Sequence, residues 1–198
     1  MTKKILIVLV LGIFSGLFIM PQAIYDQTGL LLDIGLCLLL FFVGIDLGSN
    51  KEIFTNLKHV GFKMLIVPTA TIIGSLFGGI VCSIIFKIDL FGSLAIASGM
   101  SWYTLSAIII TPVSAELGTV AFLTNVFREI LAFVFIPIIA KRIGYLETIA
   151  AGAAISMDTG LPIITKNTSQ EVALISFISG VIISLSVTVL VPIFVGLI

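Results

Sequence analysis

Unbroken apolar runs, rather than alternating or amphipathic patterns, dominate this chain. Five of them, at 4–20, 28–48, 64–86, 117–140 and 172–198, suit helices crossing ~30 Å of hydrocarbon, which takes ~20 residues each. Two further apolar segments, 91–113 and 145–165, are interrupted at their middles, by "SGMSWYTLS" and by "SMDTGLP". Neither reads as a continuous helix, because small polar residues, glycine and proline break the pattern where a span should be most apolar. Between the second and third spans, "SNKEIFTNLKHVGFK" sets Ile53, Phe54, Leu57 and Val60 on one helical face with lysines around them, as in an interfacial helix. His59 lies in that segment and reads as solvated.

Composition agrees with the pattern. Of 198 residues, 59% are hydrophobic and 10% charged, more apolar than the core of a soluble domain this size can absorb. Acids and bases cancel, 10 against 10, leaving no basic face for nucleic acid and no acidic tail for a cationic partner. Cys37 and Cys82 fall inside apolar runs and read as free buried thiols. The opening "MTKKILIVLVLGIFSGLFIM" looks like a signal peptide, but "PQAIYDQ" offers no small-x-small cleavage site, so it reads as a retained first span. No charged linker divides the chain. Residues 1–198 are expected to form one membrane domain: three spans in 1–90, then a hairpin plus span in 91–140 and again in 141–198.

Basic residues choose between crossing and turning back. If both broken segments cross, Lys141 and Arg142 fall outside together with Lys87. If both are hairpins that re-enter from the side they left, Lys3, Lys4, Lys51, Lys58, Lys63, Lys141, Arg142 and Lys166 all lie inside, and Lys87 alone outside. The positive-inside rule favours the second arrangement. It gives an all-α integral membrane protein of about five transmembrane helices plus two oppositely oriented re-entrant hairpins, with a cytoplasmic N-terminus and an external C-terminus. A weak internal repeat agrees: "IIT" at 109–111 recurs at 163–165, and "FIPII" at 135–139 is echoed by "LVPIF" at 190–194. A unit of one hairpin and one span must be followed by its own copy upside down, the inverted repeat of many secondary transporters.

A hairpin arm of ~10 residues rises ~15 Å, so both tips reach about the bilayer midplane. There Asp158 is costly, at least ~2.5 kcal/mol on insertion scales, and such a carboxylate marks a pathway or has a partner. Halfway along the fourth span, "FLTNVFREILAF" adds Arg128 and Glu129, with Asn125 in the same stretch as a further candidate for binding the solute or proton. Adjacent residues point ~100° apart, so both charges cannot face lipid harmlessly. Two carboxylates against one guanidinium suit a cationic solute or a proton, and the planar fork of Arg128 suits a carboxylate; a cationic amino acid carries both groups. A structural bridge from Arg128 to Glu129 and Asp158 stands as the alternative. Ser101, Trp102, Tyr103 and Thr104 line one tip, and Ser156, Met157, Thr159 and Gly160 the other, offering hydroxyls, freed backbone groups and an aromatic face for an ammonium. Asp33 and Asp46 lie nearer the ends of the second span and read as solvated. No nucleophile with a base, metal-ligand cluster or phosphate loop is evident, which argues against an enzyme.

The segments "LAIASGMSWYTLSAIIIT", "NVFREILAFVFIP" and "GAAISMDTGLPII", with "LLLFFVGIDLG" before them, resemble in order and spacing the signature segments of the bacterial lysine exporter family LysO. That resemblance implies export of L-lysine and toxic lysine analogues through the cytoplasmic membrane, driven by the proton gradient without a bound cofactor. Asp158 matches the aspartate of the family's SMD motif. On this basis Asp158 exchanges a lysine ammonium for a proton between the two tips, by alternating access. Typical members carry about three more spans ahead of the matched part. Either a separate small membrane subunit supplies them, the favoured reading, or the chain homo-oligomerises. The competing classes are a holin-like or pore-forming subunit of a two-component system and an intramembrane aspartyl protease, the latter disfavoured because no GxGD motif is present.

Overall fold

The computed structural model describes residues 64–198 and isolated helical positions between 7 and 45. The chain divides into two compact units, Met1–Lys51 and Glu52–Ile198. In the first, the rings of Phe14 and Phe18, one helical turn apart, lie 4.9 Å from each other. The spans expected at 4–20 and 28–48 fall largely outside the described residues. So do the interfacial segment with His59, the charged residues Asp33 and Asp46, and Cys37.

Helices joined by short turns make up the described residues of the second unit. Helix α1 (Ile66–Phe86) is followed by α2 (Leu90–Ala97), α3 (Tyr103–Ile110) and the long α4 (Ala115–Arg142). Next come α5 (Glu147–Gly152), a 3-10 turn (Ala153–Met157), α6 (Leu161–Asn167) and α7 (Gln170–Val195). Helices α1, α4 and α7 are long and apolar enough to cross a membrane, with mean hydropathies of 2.0, 1.8 and 2.5. Thus three of the five expected spans are seen as such helices, each within two or three residues of its expected limits. Cys82 is a free thiol but exposed on α1, which corrects the expectation of a buried one.

Capping sets the ends of the long helices. Ser114 accepts a hydrogen bond from Leu117 N, Glu116 sits in the first turn of α4, and Lys141 and Arg142 occupy its last, each sign matching the helix dipole. Helix α7 begins the same way, with Ser169 accepting from Val172 N and Glu171 in the first turn. Both long helices carry a proline near the C-terminal end, Pro137 and Pro192.

The two broken segments fold back on themselves from opposite ends of α4. Near the start of α4, Gly92 packs on Leu117, with room for a Cβ only 3.0 Å from its Cδ1, and Gly118 abuts Thr111. Farther along, the amide of Ser101 donates to Asn125 Oδ1 at 2.7 Å. So α2 runs alongside α4 and α3 returns to where α2 began. The second segment starts just beyond Arg142, and its arms share a cluster of Ile149 and Ile164 with Ile136 of α4 and Val172 of α7. Its bend reaches back to Glu129, through Thr159 Oγ1 at 2.9 Å. The two bends touch: Ala154 N donates to Met100 O at 3.1 Å. Around that contact Met100, Ala153, Ala154, Ile183 and Val187 form a fully enclosed core.

Candidate functional site

Each bend is built by backbone that a helix cannot continue through. In the first, Met100 and Ser101 take positive φ values of 43° and 76°, a conformation that interrupts the hydrogen-bond ladder. Trp102 N closes the turn on Gly99 O at 2.7 Å, and Ser106 Oγ reaches back to Trp102 O at 2.9 Å. The freed amide of Ser101 goes to Asn125, while the Ser101 hydroxyl is buried with no hydrogen-bond partner among the described residues. In the second, Ala153 has φ 52°, and the amides of Asp158 and Gly160 both converge on Ile155 O. Gly160 is required by that convergence, since a Cβ there would stand 2.8 Å from Ile155 O.

The carboxylates meet at the second bend. Asp158 Oδ1 accepts from Thr159 N at 2.5 Å. The Thr159 hydroxyl lies 2.9 Å from Glu129 Oε1 and 3.3 Å from Asp158 Oδ1. A hydroxyl has one proton to donate, so it serves one carboxylate at a time. Tyr103, across from them on the first hairpin, lies within electrostatic reach of both acids. Its ring meets Phe122 edge to face with centroids 5.4 Å apart.

The candidate residues therefore separate into groups. Glu129, Asp158 and Thr159 come together, and Tyr103 packs on Phe122. Asn125 joins Ser101 at the first bend. Ser176 Oγ donates to Ser156 O at 2.8 Å, fastening the second bend to α7, while Ser156 Oγ donates to Ala153 O at 2.5 Å and lies 3.2 Å from Ser176 O. Met157 packs against Gly180, with its sulfur 3.8 Å from Ser184 Oγ. Trp102 packs on the apolar core around the tips, and Thr104 is exposed. Arg128 stands apart, donating from Nη1 to Ser75 Oγ of α1 at 2.6 Å. In this conformation it makes no bridge to Glu129 or Asp158. Instead it borders a cavity of about 710 Å³ between α1, α2 and α4, whose wall includes Gly74, Gly78, Thr124 and Asn125 but no carboxylate among the described residues. Those residues hold no group of three or more His, Cys, Asp or Glu that could bind a metal ion.

One signal in the sequence had more to give than the two echoes noted above. Ser101-Trp102-Tyr103-Thr104 recurs fifty-five residues later as Ser156-Met157-Asp158-Thr159, and the caps Ser114 and Ser169 and the prolines Pro137 and Pro192 keep the same offset. Tyr103 is thus the positional counterpart of Asp158, and Asn125 that of Gly180.

The model of the family described as lysine exporter LysO matches residues 6–195. The lysine exporter LysO of Escherichia coli is 33% identical over 164 residues, covering 80% of this chain and 53% of that protein. A putative lysine exporter of Haemophilus influenzae is 33% identical over 153 residues, 74% of this chain and 75% of that one. The chain spans about half the length of the Escherichia coli relative. No solved structure is a significant match. With its signature bends, its RE pair and nearly its whole length covered by the family model, the chain belongs to the lysine exporter LysO family.

Proposed function

We propose that this chain is the transport core of a secondary transporter that exports L-lysine and its analogues across the bacterial cytoplasmic membrane in exchange for protons. The observation that carries this reading is the cluster of Glu129, Thr159 and Asp158 beside the contact between two oppositely directed bends. Two carboxylates share one hydroxyl there, and the midplane guanidinium points elsewhere. Among the described residues the cluster has no resident cation, so a lysine ammonium or a proton supplies the missing charge. These two occupants compete for the same oxygens, which is the requirement for exchange rather than leak.

The bends are read as the tips of re-entrant hairpins, and the two hairpin-plus-span units as an inverted repeat. Helices α1, α4 and α7 cross the bilayer, and two more spans lie in the N-terminal unit. The N-terminus is cytoplasmic and the C-terminus external. The proton gradient is the driving force, with no bound cofactor.

The decisive substitution is Asp158→Asn, which keeps shape and hydrogen bonding while deleting the titratable charge. It lowers the insertion cost, so the amount in the membrane is expected to equal that of the parent. Export is expected to vanish: cells fed a lysine-containing peptide accumulate lysine, and resistance to a toxic analogue is lost. Asp158→Glu retains part of the activity. Parental export by the Asn variant would remove Asp158 from both roles and leave Glu129 as the carrier.

A further inference from the structure

Asn125 is only 2% exposed, and its amide is occupied at both ends. Oδ1 accepts from Ser101 N at 2.7 Å. Nδ2 donates to Ala121 O at 2.9 Å and lies 3.4 Å from Ile96 O and 3.5 Å from Ser106 Oγ. Both hydrogens and the oxygen therefore serve the first hairpin and its own helix, and no donor remains to meet a solute. The fit is close, since a Cβ on Gly99 would stand 2.5 Å from Nδ2. One turn farther along α4, Glu129 holds the second hairpin through the Thr159 hydroxyl. The same stretch of helix thus grips both tips, one through a neutral amide and one through a charged carboxylate.

Resting on the export reading above, we propose that Asn125 is a positioning residue that clamps the first tip to α4 as the fixed wall of the site, against which the Asp158–Gly160 bend moves. The chemistry of the two grips differs in the way this division requires. An amide does not titrate, so the Ser101–Asn125 bond is the same whether the site holds a cation, a proton or neither. A carboxylate that takes up an ammonium or a proton changes its claim on the Thr159 hydroxyl, so the second grip responds to the cargo. The Ala154 N to Met100 O bond is where the moving bend meets the fixed one. At the position of Asn125 in the second unit stands Gly180, which has no side chain to clamp with, and a Cβ there would lie 2.7 Å from Met157 N.

Thiol accessibility tests this in membranes, with Cys37 and Cys82 replaced by serine and single cysteines introduced at Ser101 or Met157. The cysteine at 101 is expected to resist a maleimide equally with and without lysine, and to react about tenfold faster or more when Asn125→Leu removes the clamp. Asn125→Asp, which keeps the acceptor for Ser101 N, gives an intermediate rate, and it serves alone if the leucine variant does not accumulate. The cysteine at 157 is expected to change its rate with lysine. In inside-out vesicles, Asn125→Leu should lower the maximal rate of lysine uptake about tenfold or more, with KM within about threefold of the parent. A raised KM at a preserved rate would make Asn125 a lysine ligand and overturn the proposal. So would labelling at 101 that ignores Asn125→Leu, or that follows lysine as labelling at 157 does. Absence of lysine uptake by the parent would sink the export reading, while the labelling at 101 without lysine still decides whether Asn125 clamps the tip.

Discussion

Thr159 is where a single hydrogen atom has two claimants. Its hydroxyl sits 2.9 Å from Glu129 and 3.3 Å from Asp158, so replacing it by valine, of nearly the same shape, removes the donor and leaves the two acids facing each other. Hydrogen bonds to charged groups contribute about 1.5–3 kcal/mol, so Thr159→Val is expected to lower the lysine export rate about tenfold or more at an unchanged membrane level, with Thr159→Ser close to the parent. Export by the valine variant at the parental rate would make the shared hydroxyl incidental. The acids themselves were legible in the sequence, because a carboxylate in an apolar run is conspicuous. The direction of Arg128 was not: adjacency to Glu129 says that the two point ~100° apart, not that one finds Ser75 and the other Thr159. Asn125 was counted among the solute- or proton-binding residues, but an uncharged amide gives no hint of which backbone groups will claim it.

At the level of elements, the interruptions "SGMSWYTLS" and "SMDTGLP" mark the two bends because glycine, proline and small polar residues at mid-segment are incompatible with an unbroken helix. Whether a broken segment turns back is a different question, and apolar periodicity is blind to it; the basic loop residues and the weak internal repeat were what pointed to hairpins. The close approach that makes the second one fit was invisible, since Gly180 looks like any glycine in an apolar helix. Its importance lies in Met157, whose Cβ and N would stand 2.6 and 2.7 Å from an added Cβ. Gly180→Ala is expected to cost about 1–3 kcal/mol by overpacking against backbone, measured as a lower melting temperature in detergent. Gly74→Ala, with nothing among the described residues within 4 Å of the new carbon, is the matched control and should leave the melting temperature unchanged or slightly raised. Equal effects at the two positions would mean that the second bend is not held against α7 as described.

For the whole molecule, the two ends of α4 provide the test of topology. Glu116 lies in its first turn and Arg142 in its last, so a helix that crosses the membrane puts them on opposite sides. With Cys37 and Cys82 replaced, a cysteine at Glu116 is expected to react with an impermeant thiol reagent in intact cells, and one at Arg142 to resist it. Reaction at 142 would reverse the assigned orientation. The helical class and the limits of α1, α4 and α7 were readable because twenty apolar residues leave the backbone few alternatives in lipid, whereas the contact between bends depends on two segments more than fifty residues apart and has no local signature. The site beside that contact also has an electrical side. In the exchange proposed for Asp158, the cargo carries charge through the membrane field, and a full crossing is worth about 2.3 kcal/mol per elementary charge per 100 mV. An exchange of one lysine cation for one proton moves no net charge, whereas an exchange for two protons feels the voltage once per cycle.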